Sequence, residues 1–211
     1  MNLQEFKQMP LLGILRGISL DAVKPIADAS INAGLKAIEI TMNTERAPTL
    51  IETMRKHCGD NIAVGAGTVT SFERLKKALD AGAQFIVMPI INTTVLEYCN
   101  DNDIPVFPGA LTPNEIFNAW HHGATMVKVF PASVFGPSYF KEIKAPMNDI
   151  ELLACGGVST NTIGDFLKNG ASAAAFGASI YKKEWIETKR FQEIELEIKA
   201  LIHAYEQSKN S

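Results

Sequence analysis

The sequence predicts a single α/β domain, a closed (β/α)8 TIM barrel with a short N-terminal helix. Eight short apolar or β-branched segments alternate along the chain with longer segments of helical pattern. Eight consecutive βα units favour a closed parallel barrel over an open, doubly wound sheet. A length of 211 residues with 46% hydrophobic content suits one core, and no linker or low-complexity segment divides the chain. We therefore expect residues 1–211 to form one domain.

The predicted strands recur at regular intervals. In order along the chain, they are 11–15, 36–41, 62–66, 84–88, 104–107, 125–129, 150–154 and 172–176. Residues that favour helix N-termini follow several of these strands, namely Ser19, Ser71, Thr112 and Ser159. Glycines that can adopt the left-handed conformation precede several strands, at positions 34, 82, 123 and 170. These signals predict helices that begin and end between the strands.

The two ends of the chain lie outside this repeat. We predict a short helix over 2–8 that covers the bottom of the barrel and a helix over 188–206 that completes the outer ring. The polar segment 207–211 is predicted to be a disordered tail.

Composition excludes several classes of partner. The formal net charge of -3 comes from interspersed acidic and basic residues, so we expect no nucleic-acid partner. No apolar stretch approaches the roughly 20 residues that span a bilayer, and the N-terminus lacks a secretory pattern. We therefore expect no membrane partner and a cytoplasmic location. Cys58, Cys99 and Cys155 lie far apart and are predicted to be reduced thiols. No His and carboxylate cluster has ligand spacing, so we predict neither a metal nor a cofactor.

Two charged residues occupy predicted strands at positions that point into the barrel. In the segment 37–41, AIEIT, a period of two directs both isoleucines toward the helices and Glu39 into the lumen. The same pattern in 126–130, MVKVF, directs Lys128 inward. Both predicted strands are even-numbered, and alternate strands contribute side chains to the same layer of a barrel. We therefore expect Glu39 and Lys128 to face one another at the site.

A lysine and a glutamate in the lumen have two interpretations. Desolvation favours the neutral amine of a lysine, which is the form that attacks a carbonyl to give a Schiff base. A nearby carboxylate can then carry the protons. The alternative is a structural role, as a buried salt bridge or as a lysine whose amine reaches solvent at the strand end. The residue pattern leaves both open.

Glycine-rich turns follow the last two predicted strands, CGGVS at 155–159 and FGAS at 176–179. Turns at these places form a recurrent phosphate site in barrels, because bare backbone N–H groups approach the phosphate oxygens. Tight βα turns without a ligand are the alternative. Arg16 and Thr68, which end the first and third strands, are candidates for binding an anionic substrate. The alternative for Thr68 is a cap on the following helix.

Four segments together resemble the 2-keto-3-deoxy-6-phosphogluconate aldolase family: AIEIT at 37–41, GAGTV at 65–69, KVFPA at 128–132 and GGV at 156–158. The resemblance covers nearly the whole chain, and the ordered set is much more specific than any one motif. It implies a class I aldolase without a cofactor that cleaves a phosphorylated 2-keto-3-deoxy sugar acid to pyruvate and D-glyceraldehyde 3-phosphate. It also implies an Entner-Doudoroff-like pathway and, commonly, a homotrimer.

Site residues follow from the same resemblance, position by position. Lys128 matches the Schiff-base lysine, Glu39 the general acid/base, and Thr68 a ligand of the pyruvyl carboxylate. Further substrate-binding positions are Phe130, Gly156, Gly157, Gly177, Ala178 and Ser179.

The sequence also bears on which epimer is the substrate. Asn43 stands four residues after Glu39, where gluconate-type enzymes usually carry arginine. Together with Arg16 and the run FGPSY at 135–139, this resembles the 2-dehydro-3-deoxy-6-phosphogalactonate branch, in which an arginine at the end of strand one contacts substrate. Cys155 departs from the aliphatic residue usual in that branch. We predict the galactonate-type substrate, with the gluconate epimer or dual specificity as the alternative.

Two other classes of protein are weighed against this prediction. A phosphosugar isomerase or metal-dependent decarboxylase barrel would share the phosphate loops but would not need a lysine in the lumen. A noncatalytic sugar-phosphate sensor is disfavoured because Glu39 and Lys128 are both present.

Overall fold

Nine parallel strands form the wall of a barrel within residues 1–209, the part of the chain that this computed structural model describes. They are β1 (Leu11–Leu15), β2 (Ala37–Thr41), β3 (Ala63–Gly67), β4 (Ile86–Val87), β5 (Val106–Phe107), β6 (Gly109–Ala110), β7 (Val127–Val129), β8 (Leu152–Cys155) and β9 (Ala173–Phe176). Their order in the sheet is β5-β4-β3-β2-β1-β9-β8-β7-β6. Because β5 and β6 adjoin in the chain, the two edges of the sheet meet, and the predicted barrel is confirmed.

Helices surround this wall. They are α1 (Leu3–Gln8), α2 (Leu20–Asn32), α3 (Ala47–Cys58), α4 (Phe72–Asp80), α5 (Thr93–Asp101), α6 (Pro113–His121), α7 (Ser138–Lys144), α8 (Ile163–Lys168), α9 (Lys183–Glu187) and α10 (Phe191–Lys209). A 3-10 turn, Ala132–Val134, follows β7. Over residues 1–209, none of the helices has the length and apolar character needed to cross a membrane.

The fifth predicted strand, 104–107, is observed as β5, and a further short strand, β6, follows it after Pro108. β5 pairs with β4 on one side, whereas β6 pairs with β7 on the other. Proline has no N–H to give to a strand ladder, but its carbonyl accepts a hydrogen bond of 2.9 Å from the backbone N–H of Lys128. The chain therefore changes partner at Pro108, which is why the described chain has nine strands where the sequence predicted eight.

Alternation along the strands separates two apolar layers. The outer layer, between strands and helices, contains Ile38, Ile40, Val127 and Val129. The inner layer includes Leu12, Ala37, Phe107, Met126 and Leu153. Glu39 and Lys128 each lie between two residues of the outer layer, so both side chains point into the barrel, as the period of two predicted.

Apolar side chains fill the lumen at the end where the strands begin. Phe6 of α1 is buried and meets Phe107 edge-on, with ring centroids 5.8 Å apart. Phe107 meets Phe85 in the same way at 6.0 Å. Gly65 leaves room for Phe85, because a Cβ there would overlap its ring. The N-terminal helix therefore closes the bottom of the barrel as predicted, and the opposite end stays open.

Helix ends follow the sequence signals with one correction. Ser71 and Thr112 each accept a hydrogen bond from a backbone N–H in the first turn of the helix that follows. The four glycines predicted to take the left-handed conformation have φ of 91°, 87°, 84° and 101°, in chain order. The helix predicted after Ser159 begins later, with Thr162 as its N-cap. The reason is a turn in which the N–H of Ser159 donates to Oγ1 of Thr162 over 2.9 Å.

The closing helix predicted over 188–206 is observed as α10, which begins three residues later, at Phe191, and ends at Lys209. α9 ends at Glu187, and Lys189 has a left-handed φ of 56°, so the chain turns before α10 begins. The backbone N–H of Arg190 donates to the carbonyl of Trp185 over 2.7 Å and closes this turn.

The predicted disordered tail is wrong for residues 207–209. α10 continues to Lys209, whose amine lies 4.5 Å from the centroid of the Tyr205 ring. Tyr205 is itself buried in the outer core. Residues 210–211, the rest of the predicted tail, lie outside the described part of the chain.

Candidate active site

The open end of the barrel holds a cavity of about 460 Å³. It lies at the carboxyl ends of the strands, where parallel barrels carry their sites. The predicted site residues that line it are Arg16, Lys128, Phe130, Gly156, Gly157, Gly177, Ala178 and Ser179. Glu39 and Thr68 are not among the lining residues. Glu39 stands next to Ile14 of the cavity wall in the register of β1 and β2.

Lys128 is a charged side chain in largely apolar surroundings. The residue is 6% exposed, and its amine lies 5.0 Å from the centroid of the Phe130 ring, which is a cation–π contact. None of the ion pairs among residues 1–209 involves this amine. The alternative interpretation, a structural salt bridge between Lys128 and Glu39, is therefore not observed among the described residues.

Glu39 is a buried carboxyl group with an altered affinity for protons. It is 1% exposed, and its Oε2 atom finds no hydrogen-bond donor in the described chain. Burial raises the pKa of Glu39 from 4.5 to about 7, although the charges of Lys128 and Arg16 act to lower it. A carboxyl group with such a pKa can both accept and release a proton near neutral pH.

Gly67 leaves the space that the Glu39 carboxyl group occupies. A Cβ on Gly67 would lie 2.6 Å from Cδ of Glu39 and would overlap Oε1. In the register of β2 and β3, Gly67 stands opposite Thr41, two residues beyond Glu39. Gly67 belongs to the GAGTV motif, but the motif alone assigns it no role. The strand register supplies the missing connection, because it shows which residue of β3 lies beside the carboxyl group.

Cys155 lies at the end of β8 and lines the same cavity. Burial raises the pKa of its thiol, while the charge of Lys128 and a hydrogen bond with it act to lower that pKa. Since the net direction is upward, the group is a neutral thiol rather than a thiolate at neutral pH. Cys155 therefore contributes a compact, weakly polar wall next to the lysine amine.

The two glycine-rich turns form one cradle. Gly156 and Gly157 have φ of 105° and 76°, which disfavour a side chain at either position. A hydrogen bond of 2.9 Å from Oγ of Ser179 to the carbonyl of Val158 joins the turn after β9 to the turn after β8. The result is a concave backbone surface on the cavity wall that is suited to anion oxygens.

Arg16 stands at the rim of the cavity on a loop held by buried threonines. Oγ1 of Thr44 accepts a hydrogen bond of 3.0 Å from the N–H of Gly17 and lies 3.0 Å from Oγ1 of Thr41. Thr41 and Thr44 are buried. These hydrogen-bonded hydroxyl groups attach the loop that contains Arg16 to the end of β2. The role of Thr44 is not visible in the sequence, because its partner Gly17 is 27 residues away along the chain.

Thr68 directly follows β3 in a left-handed conformation with φ of 55°. This conformation is rare for a β-branched residue and marks a position that the surrounding structure enforces. The helix that follows is capped by Ser71, so the capping role weighed for Thr68 is taken by another residue. The guanidinium of Arg74 donates to the carbonyl of Thr68 over 3.2 Å and holds this turn.

These groups fit one kind of chemistry. A buried amine at the cavity, a carboxyl group with a pKa near 7 and a cradle for anions are suited to forming an imine with an anionic carbonyl compound and moving its protons. Across residues 1–209, no group of three or more His, Cys, Asp or Glu side chains is arranged to hold a metal ion.

Comparisons with known proteins point to the same chemistry. A 2-dehydro-3-deoxy-6-phosphogalactonate aldolase of Escherichia coli is 35% identical over 176 residues, which are 83% of this chain and 86% of that protein. A 2-dehydro-3-deoxy-phosphogluconate aldolase of Pseudomonas aeruginosa is 34% identical over 165 residues, which are 78% and 73% of the two chains. A solved structure described as "Native KDPGal structure" has a TM-score of 0.90 and 32% identity, and the match covers 96% of this chain and 97% of that one.

A family model described as "KDPG and KHG aldolase" matches residues 3–196. This match spans all nine strands within the described residues. The protein is a carbon–carbon lyase of the class I aldolase type, as the sequence predicted. The chain belongs to the KDPG and KHG aldolase family.

Proposed function

We propose that this enzyme cleaves 2-dehydro-3-deoxy-6-phosphogalactonate to pyruvate and D-glyceraldehyde 3-phosphate, with Lys128 forming the Schiff base and Glu39 moving the protons. Two features of the same site carry the proposal. One is an inward-facing lysine that forms no ion pair among the described residues, and the other is a buried carboxyl group whose pKa is about 7. An amine held in a salt bridge would have to leave its partner before attacking a carbonyl. Lys128 has no such partner among the described residues.

The reaction divides into three steps. The neutral amine of Lys128 adds to the C2 carbonyl, and the carbinolamine takes up a proton and loses water to leave a protonated imine. The C3–C4 bond then breaks, its electron pair moves into the C2–C3 bond of an enamine, and the C4 hydroxyl loses its proton to become the aldehyde. A proton added at C3 gives the methyl group, and water returns to C2 to release pyruvate and the free lysine.

Glu39 fits the proton transfers of this sequence. Deprotonated, it accepts the proton of the C4 hydroxyl group as the bond breaks, and protonated, it supplies the proton that C3 takes up. Both states are populated near neutral pH, because burial raises its pKa to about 7. A carboxyl group at its ordinary pKa would be almost fully ionised there and would be a poor proton donor.

The remaining site residues are assigned to substrate binding. We assign the phosphate to the cradle made by Gly156, Gly157 and the turn 177–179, because its glycines leave backbone N–H groups open to an anion. Thr68 is assigned to the pyruvyl carboxylate, and Phe130 to the face of the bound keto acid beside the Lys128 amine.

The galactonate epimer is proposed over the gluconate epimer on two residues, Asn43 and Arg16. Asn43 stands where gluconate-type enzymes usually carry arginine, and Arg16 at the cavity rim supplies the cation instead. Cys155, on the cavity wall beside Lys128, departs from the aliphatic residue usual in the galactonate branch and argues the other way. The alternative is an enzyme that prefers the gluconate epimer or accepts both. Cleavage rates of the two epimeric phospho sugar acids, measured at equal enzyme concentration, separate these outcomes.

The assignment of Lys128 is tested by trapping the imine. Borohydride added with pyruvate is expected to attach the three-carbon acid covalently to Lys128, as read by peptide mapping. Lys128→Ala should lose the adduct and nearly all turnover, whereas Lys76→Ala, at an exposed position on α4, should lose neither. An adduct on another lysine would overturn the assignment. Binding of the phospho sugar acid with neither adduct nor turnover would favour the alternative of a sugar-phosphate sensor.

We also propose that the enzyme is a cytoplasmic homotrimer. Five large apolar residues, each more than half exposed in the described single chain, support association: Ile90, Phe117, Val134, Phe135 and Leu196. The three cysteines are buried and free, in keeping with a reducing compartment. With a chain mass of 23.0 kDa, native mass spectrometry should show a species of three chains. A monomer would contradict the proposal.

A further inference from the structure

Tyr181 connects the anion cradle to a helix on the outside of the barrel. It follows the turn after β9, is one of the residues that line the cavity, and is 6% exposed. Its hydroxyl group lies 3.1 Å from Oγ of Ser30, in the last part of α2. Ser30 is completely buried. The contact therefore joins two segments that are 151 residues apart in the sequence.

The direction of this hydrogen bond follows from the donors available. The hydroxyl group of Ser30 donates its single proton to the carbonyl of Ile26 over 2.8 Å. Oγ of Ser30 is then an acceptor toward Tyr181, so the tyrosine must donate. Burial raises the pKa of Tyr181, which keeps the phenol protonated and able to donate. The bond is thus a defined link with one orientation.

The space for this link is created in two neighbouring strands. Gly13 of β1 has no side chain, and a Cβ there would lie 2.6 Å from the Tyr181 hydroxyl oxygen. On the other side, the ring of Phe176 of β9 stacks on the Tyr181 ring at 5.7 Å between centroids and 21° between planes. The ring is held in one position, and its hydroxyl group reaches the helix.

The same residue closes the turn that faces the substrate. The backbone N–H of Tyr181 donates to the carbonyl of Gly177 over 2.9 Å, and that of Ile180 donates to the same carbonyl over 3.0 Å. The turn 177–181 therefore has one end on β9 and the other on Tyr181. A movement of Tyr181 would be passed directly to Gly177 and Ser179.

We propose that Tyr181 and Ser30 are positioning residues that hold the turn 177–179 in the geometry needed to bind the phosphate group of the substrate. This inference rests on the proposed function, because it assigns the phosphate to that turn. Neither residue touches the reacting carbons in this proposal. Their loss should weaken recognition of the phosphate more than it affects the chemistry at Lys128.

The test uses aldol addition of pyruvate to two aldehydes, D-glyceraldehyde 3-phosphate and unphosphorylated D-glyceraldehyde. Tyr181→Phe removes the donor but keeps the ring, and Ser30→Ala removes the acceptor. Each variant should reduce the preference for the phosphorylated aldehyde, measured as the ratio of the two kcat/KM values, by about 5- to 10-fold, the effect of one lost hydrogen bond. The loss should appear as a higher KM for the phosphorylated aldehyde. The double variant should be no worse than either single variant, because both changes break one link.

A matched control is available in the same outer layer. Tyr205→Phe removes a buried hydroxyl group that donates to the carbonyl of Gln8 over 3.4 Å at the closed end of the barrel. This variant should keep the wild-type ratio. Inhibition by inorganic phosphate provides a second measurement. Its inhibition constant should rise in Tyr181→Phe and Ser30→Ala and stay unchanged in Tyr205→Phe.

The possible outcomes separate the inference from the proposed function. An unchanged ratio in Tyr181→Phe and Ser30→Ala, or an equal loss for both aldehydes, would overturn the positioning role while leaving the aldolase intact. Failure of the wild-type enzyme to exchange the methyl protons of pyruvate would overturn the proposed function itself. Should Tyr181→Phe not fold, Ser30→Ala carries the test, because alanine is well accommodated in a helix and leaves the turn after β9 unaltered in sequence.

Discussion

Replacement of Glu39 by glutamine tests the proton-carrying role most directly. Glutamine keeps the shape of the side chain but has no titratable group, so the Glu39→Gln variant should lose about 10²- to 10⁴-fold in turnover. Borohydride trapping of pyruvate should slow without being lost, because the amine of Lys128 is still present. The expected defect is therefore in proton transfer rather than in imine formation.

The same substitution has a measurable effect on stability, and the structure gives its size and sign. Burial raises the pKa of Glu39 from 4.5 to about 7, which corresponds to a cost of about 3 kcal/mol for the ionised form in the folded protein. Below pH 4.5 the group is protonated in both states and has no effect. As the pH rises from 4.5 to 7, the folded state binds more protons than the unfolded state, so stability falls. Above pH 7 the full cost applies.

Chemical denaturation of wild type and variant at pH 4.5 and pH 8.5 measures this difference. The free energy of unfolding of Glu39→Gln, relative to wild type, should increase by about 3 kcal/mol between the two pH values. Glu142→Gln, at an exposed position on α7, is the control and should show no such change.

A kinetic measurement completes the test. Exchange of the pyruvate methyl protons with deuterated water, followed after the imine has formed, should slow in Glu39→Gln in parallel with turnover. Wild-type exchange in the variant would refute the reasoning and leave Glu39 as a structural residue. A pH-independent difference in stability would refute the raised pKa.

Three further predictions follow from other parts of the site. Gly67→Ala should lower stability by about 1–3 kcal/mol and slow proton exchange more than imine trapping, because its Cβ would displace the Glu39 carboxyl group; equal slowing of both would contradict this. Thr44→Val should lower the free energy of unfolding, measured by chemical denaturation, by about 1–3 kcal/mol and should raise KM, because it leaves the N–H of Gly17 unpaired on the loop of Arg16. An unchanged KM would show that Thr44 does not position Arg16 for substrate binding. Activity should survive exhaustive EDTA treatment, because the imine is the electron sink; a loss restored by zinc or magnesium would contradict the class I mechanism.

The sequence alone determined the architecture and the orientation of the reactive side chains. Strand segments repeated at regular intervals predicted the barrel, because local hydrophobic pattern sets secondary structure and eight parallel units close most readily on themselves. The period of two along AIEIT and MVKVF placed Glu39 and Lys128 inside, since a strand side chain has only two directions to choose from. Four ordered motifs then identified the family.

The tertiary structure decided what depends on neighbours far apart in the chain. The change of partner at Pro108, the gap at Gly67 beside Glu39, and the link from Tyr181 to Ser30 all arise from how separate elements pack. A glycine in a motif does not reveal which side chain needs its space, and a buried hydroxyl group does not reveal its partner. The pKa of Glu39 was settled in the same way, because desolvation depends on every group that surrounds the carboxyl and not on its place in the sequence.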